Sequence, residues 1–227
     1  IDDLIVYHRS QEQYLFVVNA SNKEKDWAWL TAVKNGKVLV DNLRPGAHVY
    51  GRNVTLKDLS DAQHGDEMLI DIALQGRAST KILLSLGADE ADAKALRQLK
   101  RSSLMEGKFG DFELIASRTG YTGENTGYEI FIHPDQAVAF WMELLKVGEP
   151  LGLKPCGLGA RDSLRTEFGL PLYGHEMSGP LNATVGEAGF AYFVKPYKPW
   201  FIGREAFMKQ EANRSKELVR FRFEDQR

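Results

Sequence analysis

The stretch between residues 112 and 132 constrains the chain most. Residues 112–118 (Phe112-Glu113-Leu114-Ile115-Ala116-Ser117-Arg118) alternate as a strand, and 128–132 (Tyr128-Glu129-Ile130-Phe131-Ile132) read as its hairpin partner. The loop at 119–127 holds three glycines in nine residues. Glycine permits positive φ and a close approach of the backbone to whatever lies opposite. One reading is a glycine-rich turn with solvated acids. The other is a ligand-binding loop, flanked by Tyr121, Glu124 and Glu129.

The surrounding segments fix the fold class. Residues 3–8 and 14–19 read as strands. Ser21 with Glu24 three places on is a capping-box signature, and the helix after it carries Trp27, Trp29, Leu30 and Val33. Residues 68–74 form a further strand, which Gln75-Gly76 turns into a helix at 79–86. Helices are expected near 91–100, at 135–147 behind Pro134-Asp135, at 157–168 and at 204–212; residues 218–223 are strand-like. Strands and helices mix without a βαβ rhythm. The expected class is α+β, with mixed or antiparallel sheets and flanking helices. The chain opens directly on a strand and stops soon after one, which reads as part of a longer protein.

Composition excludes several functions. The net charge is −2, with no basic excess to hold a phosphate backbone, so no nucleic-acid partner is expected. No apolar run reaches eighteen residues, so no membrane span is expected. Cys156 stands alone and can close neither an intramolecular disulfide nor a cysteine-based zinc site. The five histidines lack metal-ligand spacing, and no metal is expected. Residues 41–66 are loop-rich. Five acids and no Lys or Arg lie from Asp58 to Asp71, which reads as a solvated insertion because the spacing fits no calcium loop.

Three places could carry chemistry. Asp3 shares a strand face with Ile5 and Tyr7, and Asp2 shares the other with Leu4 and Val6. An acid leading an apolar strand is partly desolvated and suited to proton transfer; an acid pair in a surface turn is the plainer reading. In the hairpin, Glu129 lies on one face with Phe131, and such a carboxylate could grip a guanidine-like edge, for instance that of a pterin. Finally, Arg161 and Arg165 stand four apart on one helix face, facing either an anionic or carbonyl ligand or structural acids such as Asp162.

Taken in order, these stretches resemble the glycine cleavage system T-protein (aminomethyltransferase) family. The matching residues are Ile1-Asp2-Asp3-Leu4-Ile5-Val6, Val17-Val18-Asn19-Ala20, Ala73-Leu74-Gln75-Gly76, Ser117-Arg118-Thr119-Gly120-Tyr121-Thr122-Gly123-Glu124, 156–164, Leu172-Tyr173-Gly174-His175-Glu176 and Phe201-Ile202-Gly203-Arg204-Glu205-Ala206. The chain departs from the family in a longer 41–66 stretch, one extra residue in the Tyr121 loop, and Arg77 where proline is common.

The resemblance implies two partial domains of a folate-binding fold. Residues 1–76 would belong to the second domain, with an insertion near 41–66. Residues 77–212 would form the main part of the first domain, and 213–227 the start of a C-terminal barrel. It implies transfer of a one-carbon unit from the aminomethyl-dihydrolipoyl arm of H-protein to tetrahydrofolate, giving ammonia and 5,10-methylenetetrahydrofolate. Asp3 would be the catalytic group. Glu129 would bind the amino-pyrimidine edge, Arg161 a polar group of the folate, and Tyr7, Asn19 and Tyr121 would line the cavity. The compartment implied is the cytoplasm, or the mitochondrial matrix in a eukaryote. Two alternatives share the folate side: a demethylase of dimethylglycine, sarcosine or a sulfonium donor, and a non-enzymatic folate-binding factor for iron–sulfur assembly. The latter carries a Lys-Gly-Cys-Tyr-x-Gly-Gln-Glu signature, whereas this chain has no cysteine near Tyr121.

Overall fold

The computed structural model describes residues 3–46, 53–178 and 180–221. Asp2, residues 47–52 of the expected insertion, and Arg222 and Phe223 of the expected last strand lie outside the described residues.

The chain divides into two compact units. One comprises Ile1–Ile5, Phe16–Leu56 and Pro171–Arg227; the other comprises Val6–Leu15 and Lys57–Leu170. Residues 70–75 are bonded into the sheet formed by residues beyond 100.

The second unit is built on a four-stranded antiparallel sheet. In chain order its strands are β3 (Ile70–Gln75), β4 (Leu104–Phe109), β5 (Phe112–Ser117) and β6 (Gly127–Ile132), and in space they run β3-β6-β5-β4. Strands β1 (Ile5–Ser10) and β2 (Gln13–Val17) pair separately as a hairpin. The α+β expectation holds, and so does the β5–β6 hairpin.

The two faces of the four-stranded sheet differ. One carries Ile72, Leu74, Leu114, Ala116, Tyr128, Ile130 and Ile132, all buried. It is covered by α2 (Ser79–Ser85), α3 (Glu90–Gln98) and α4 (Pro134–Gly148), whose Ile82, Leu83, Leu96, Phe140 and Leu144 complete the core. Burial of this apolar face is the main stabilising term for the unit. Entry into α4 follows the sequence signal: Pro134 occupies the first turn and His133 Nδ1 accepts from the Asp135 amide at 3.3 Å. The opposite face carries Asp71, Ile115, Ser117, Glu129 and Phe131, and it holds the candidate site.

Three local expectations need correction. No capping box forms at Ser21, because the chain enters α1 (Lys23–Lys34) through a 3-10 turn at Ala20–Asn22 that already contains Ser21. Asn22 takes the cap position, with no side-chain capping bond. Strand β4 was not expected, since Gly107 and alternating charges lower its intrinsic preference. It is fixed by tertiary contacts: Asp92 of α3 accepts from the Lys108 amide at 2.8 Å, and a side chain at Gly107 would meet the Asp92 carboxylate at 3.0 Å. Residues 218–221 form no strand, although the Leu218 amide donates to the Glu187 carbonyl at 2.8 Å.

The first unit holds α1, α6 (Arg204–Ala212) and the segment from Pro171 onward. Part of the loop-rich 41–66 stretch is tied down here. Asp41 is buried and accepts from Arg44 Nε at 2.6 Å, while the Arg44 guanidinium lies 5.1 Å from the Trp200 ring centre.

Candidate active site

The residues expected at the site fall into two groups, one in each unit. In the first unit the Asn19 side-chain amide donates to Asp3 Oδ1 at 2.7 Å and to the Asp3 carbonyl at 3.1 Å. The Tyr173 backbone amide donates to the same Oδ1 at 3.2 Å. The carboxylate is therefore anchored from two directions, which fixes its orientation before any ligand arrives. Tyr173 comes from the Leu172–Glu176 stretch, where Glu176 Oε2 accepts from the Leu172 amide at 2.9 Å and Gly174 turns the chain at φ +106°. The Lys25 ammonium sits 3.9 Å from the Tyr173 ring centre. Tyr173 also borders a polar hollow of about 190 Å³ with Met177, Asn182, Thr184 and Gln210.

In the second unit β6 sets Glu129 opposite Ala73 of β3 and opposite Ser117 of β5. Asp71, two residues before Ala73, points to the same face, one diagonal step from Glu129. Tyr7 is buried, and its hydroxyl oxygen accepts from Ser117 Oγ. Burial raises the Tyr7 hydroxyl pKa, and the Glu129 and Asp71 charges push it further up.

Glu129 is strongly perturbed. Burial pushes its carboxyl up to about 7; the Asp71 charge adds to this and Arg161 opposes it. Its Oε2 is buried and has no hydrogen-bond partner among the described residues. Native proteins seldom leave such an oxygen unpaired. Burial likewise pushes Asp71 up to about 6, against a hydrogen bond from the Ile130 amide and the Arg161 charge. Asp71 keeps an open, solvated side, so water screens it more than Glu129.

The two arginines of α5 (Leu158–Phe168) separate into different roles. Arg165 is only 3% exposed; its Nε and Nη2 donate to Asp162 Oδ1 at 2.8 and 2.6 Å, and its Nη1 donates to the Leu170 carbonyl at 3.3 Å. It ties down the end of the helix. Arg161 is exposed, lies 5.8 Å from the Tyr121 ring centre, and biases both Glu129 and Asp71 toward their charged forms.

The loop glycines serve packing. Gln75 Nε2 donates to the Thr119 and Tyr128 carbonyls at 3.1 and 3.2 Å. A Cβ at Gly120 or Gly127 would fall 1.9 or 2.2 Å from Gln75 Oε1. Gly123, at φ +80°, leaves room for Phe168, which a Cβ there would meet at 2.3 Å. Gln75 thus holds both ends of the loop and sets the start of β6.

Tyr7, Tyr121, Glu129 and Arg161 are brought together in the second unit, and Asp3 and Asn19 in the first. Asp71 and Ser117 are additional. Asp71 had been grouped with solvated acids, yet the strand alternation around it was visible in the sequence. Of the other acids in that run, Asp61 caps a 3-10 turn and Glu67 pairs with Lys57 at 2.6 Å. The described residues contain no cluster of three or more metal-ligating groups and no helix long and apolar enough to cross a membrane.

Residues 1–198 match the family model of the GCVT N-terminal domain, so the chain belongs to that family. Among its relatives, the aminomethyltransferase of Thermoanaerobacter pseudethanolicus is 39% identical over 226 residues, covering 99% of this chain and 54% of that protein. The aminomethyltransferase of Bacillus mycoides is 38% identical over 221 residues, covering 96% and 52%. The crystal structure of glycine cleavage system aminomethyltransferase T from Bartonella henselae aligns with a TM-score of 0.67 at 25% identity, over 94% of this chain and 49% of that one. The chain spans about half the length of the curated relatives it matches.

Proposed function

We propose that this chain is the folate-handling part of an aminomethyltransferase of the glycine cleavage system. The reaction is transfer of the one-carbon unit from aminomethyl-dihydrolipoyl H-protein to tetrahydrofolate, with release of ammonia and formation of 5,10-methylenetetrahydrofolate. The observation that carries this reading is the buried, unpartnered Oε2 of Glu129. A pterin presents adjacent N–H donors on its amino-pyrimidine edge, and these supply what that oxygen lacks.

The folate contributes the nucleophilic nitrogen; the remaining work falls to the protein. Glu129 holds the heterocycle edge as a carboxylate, with the nearby Arg161 favouring its charged form. Arg161, on the ring of Tyr121, is free of the Arg165–Asp162 pair and binds a carbonyl or carboxylate oxygen of the folate. Tyr7 and Tyr121 flank the folate in this reading, Tyr121 beside Arg161. Asp3, held by Asn19 and the Tyr173 amide, stabilises positive charge developing during transfer and accepts a proton. Most of the rate gain comes from positioning two partners, without a covalent protein intermediate. In the family's terms, residues 1–76 supply part of the second domain, 77–212 most of the first and 213–227 the start of the barrel. The compartment would be the cytoplasm, or the mitochondrial matrix in a eukaryote.

The test uses full-length protein, tetrahydrofolate and aminomethyl-loaded H-protein, with ammonia and methylenetetrahydrofolate followed together. Equal release of both is expected. Folate binding without product would move the assignment to another methyl donor or to a non-enzymatic folate carrier.

A further inference from the structure

At its β3–β6 end the open face of the sheet holds two acids where the proposed folate contact needs one; Glu106, Lys108 and Glu113 share the face farther along, on β4 and β5. Asp71 and Glu129 stand on adjacent strands, one diagonal step apart, and a single cation, Arg161 of α5, acts on both. The other groups facing Glu129 are Ser117 from β5 and Tyr7 from β1, both neutral at pH 7 and bonded to one another. No second cation offsets the second acid among these facing groups.

We propose that Asp71 is a positioning residue of this site, whose like charge governs the protonation of Glu129 and thereby the pH range over which Glu129 can hold the donor edge of its ligand. This rests on the assignment of Glu129 as the folate contact. The geometry gives Asp71 this role without requiring it to touch the ligand, because acids one diagonal step apart on adjacent strands influence each other's titration. Burial and the nearby Asp71 charge both favour a proton on Glu129. A ligand that supplies two N–H donors to Glu129 displaces that proton, so binding weakens as pH falls. Removing the Asp71 charge shifts the weakening to lower pH.

Two readouts on the full-length protein test this, one of them free of ligand. Carbon-13 NMR of labelled glutamate carboxyls, with Glu129→Gln identifying the resonance, gives the Glu129 titration midpoint in the wild type and in Asp71→Asn. The variant midpoint is expected to fall by about one pH unit, the effect of losing a neighbouring like charge. Tetrahydrofolate affinity at pH 6 is then expected to be roughly fivefold tighter in Asp71→Asn than in wild type, while the two converge above pH 8. Asp71→Glu, which restores the charge, should return both midpoints toward wild type. An unmoved NMR midpoint overturns the proposal by showing no coupling. A shifted midpoint with folate affinity that ignores it overturns the ligand role of Asp71 and places the fault in the assignment of Glu129. Because Asp71 keeps a solvated side on an edge strand, its replacement leaves the core untouched.

Discussion

Asp3 and Glu129 are both partly buried carboxyl groups, and they are held in opposite ways. Asp3 receives the Asn19 side chain and the Tyr173 amide on one oxygen, so its orientation is set by its own chain. Glu129 has a buried oxygen with nothing to accept from among the described residues, next to a like charge. The first arrangement suits a group that must already be aimed when chemistry begins. The second carries a cost in the folded state that a ligand with N–H donors removes. In the proposed reading, positioning and recognition fall to different carboxylates, set apart by what surrounds each.

Substitutions can separate these roles. The largest effect is expected from Asp3→Asn in the full-length protein: turnover should fall by at least about 100-fold with folate affinity changed only slightly. An unchanged kcat would remove Asp3 from the reaction.

Glu129→Gln should show the inverse, weakening folate about 10- to 100-fold as a charge-assisted contact is lost. It should also change stability. The Glu129 carboxyl binds its proton more tightly in the folded chain, near 7, than when unfolded, near 4.5. The folded wild type therefore loses stability as pH rises from about 4.5 through about 7. Thermal melts should find the variant about 2 kcal/mol more stable at pH 8 and little different at pH 4.5. Parallel curves across that range would show that Glu129 is not perturbed.

The α5 arginines provide a control within one helix. Arg165→Met should cost about 2 kcal/mol of stability through lost hydrogen bonds and packing. Arg161→Met should stay within about 0.5 kcal/mol on denaturation while weakening folate binding. A smaller effect than that of Asp3→Asn is expected for Asn19→Ala, which leaves the Tyr173 donor in place. A kcat about tenfold lower, measured at saturating folate, would fit the loss of one anchor; a fall as large as that of Asp3→Asn would show that Asn19 acts on substrate directly.

Much of this was legible from the residues. Helix α6 begins and ends at the expected positions, and the β5–β6 hairpin follows from its alternation. Asp3, Asn19, Glu129 and Arg161 were reachable because short motifs around them occur in a recognisable order. Asp71 was not, because its role depends on the pairing of β3 with β6, more than fifty residues away in sequence, and the acids before it suggested a solvated run. Strand β4 was hidden for a related reason: its Gly107 looks like a break until Asp92 is seen packed against it. The Ser21 signal failed because a 3-10 turn moved the helix start by one residue.

The grip of Gln75 on Thr119 and Tyr128, with Gly120 and Gly127 closed against it, makes the hairpin modular. The extra residue that the family resemblance implies for the Tyr121 loop would fall between the clamped ends. Insertions there can alter what the tip offers a ligand, while the seat of Glu129 stays in register with β3. Variation at the tip is bounded by Gly123, where Phe168 fills the space a side chain would need.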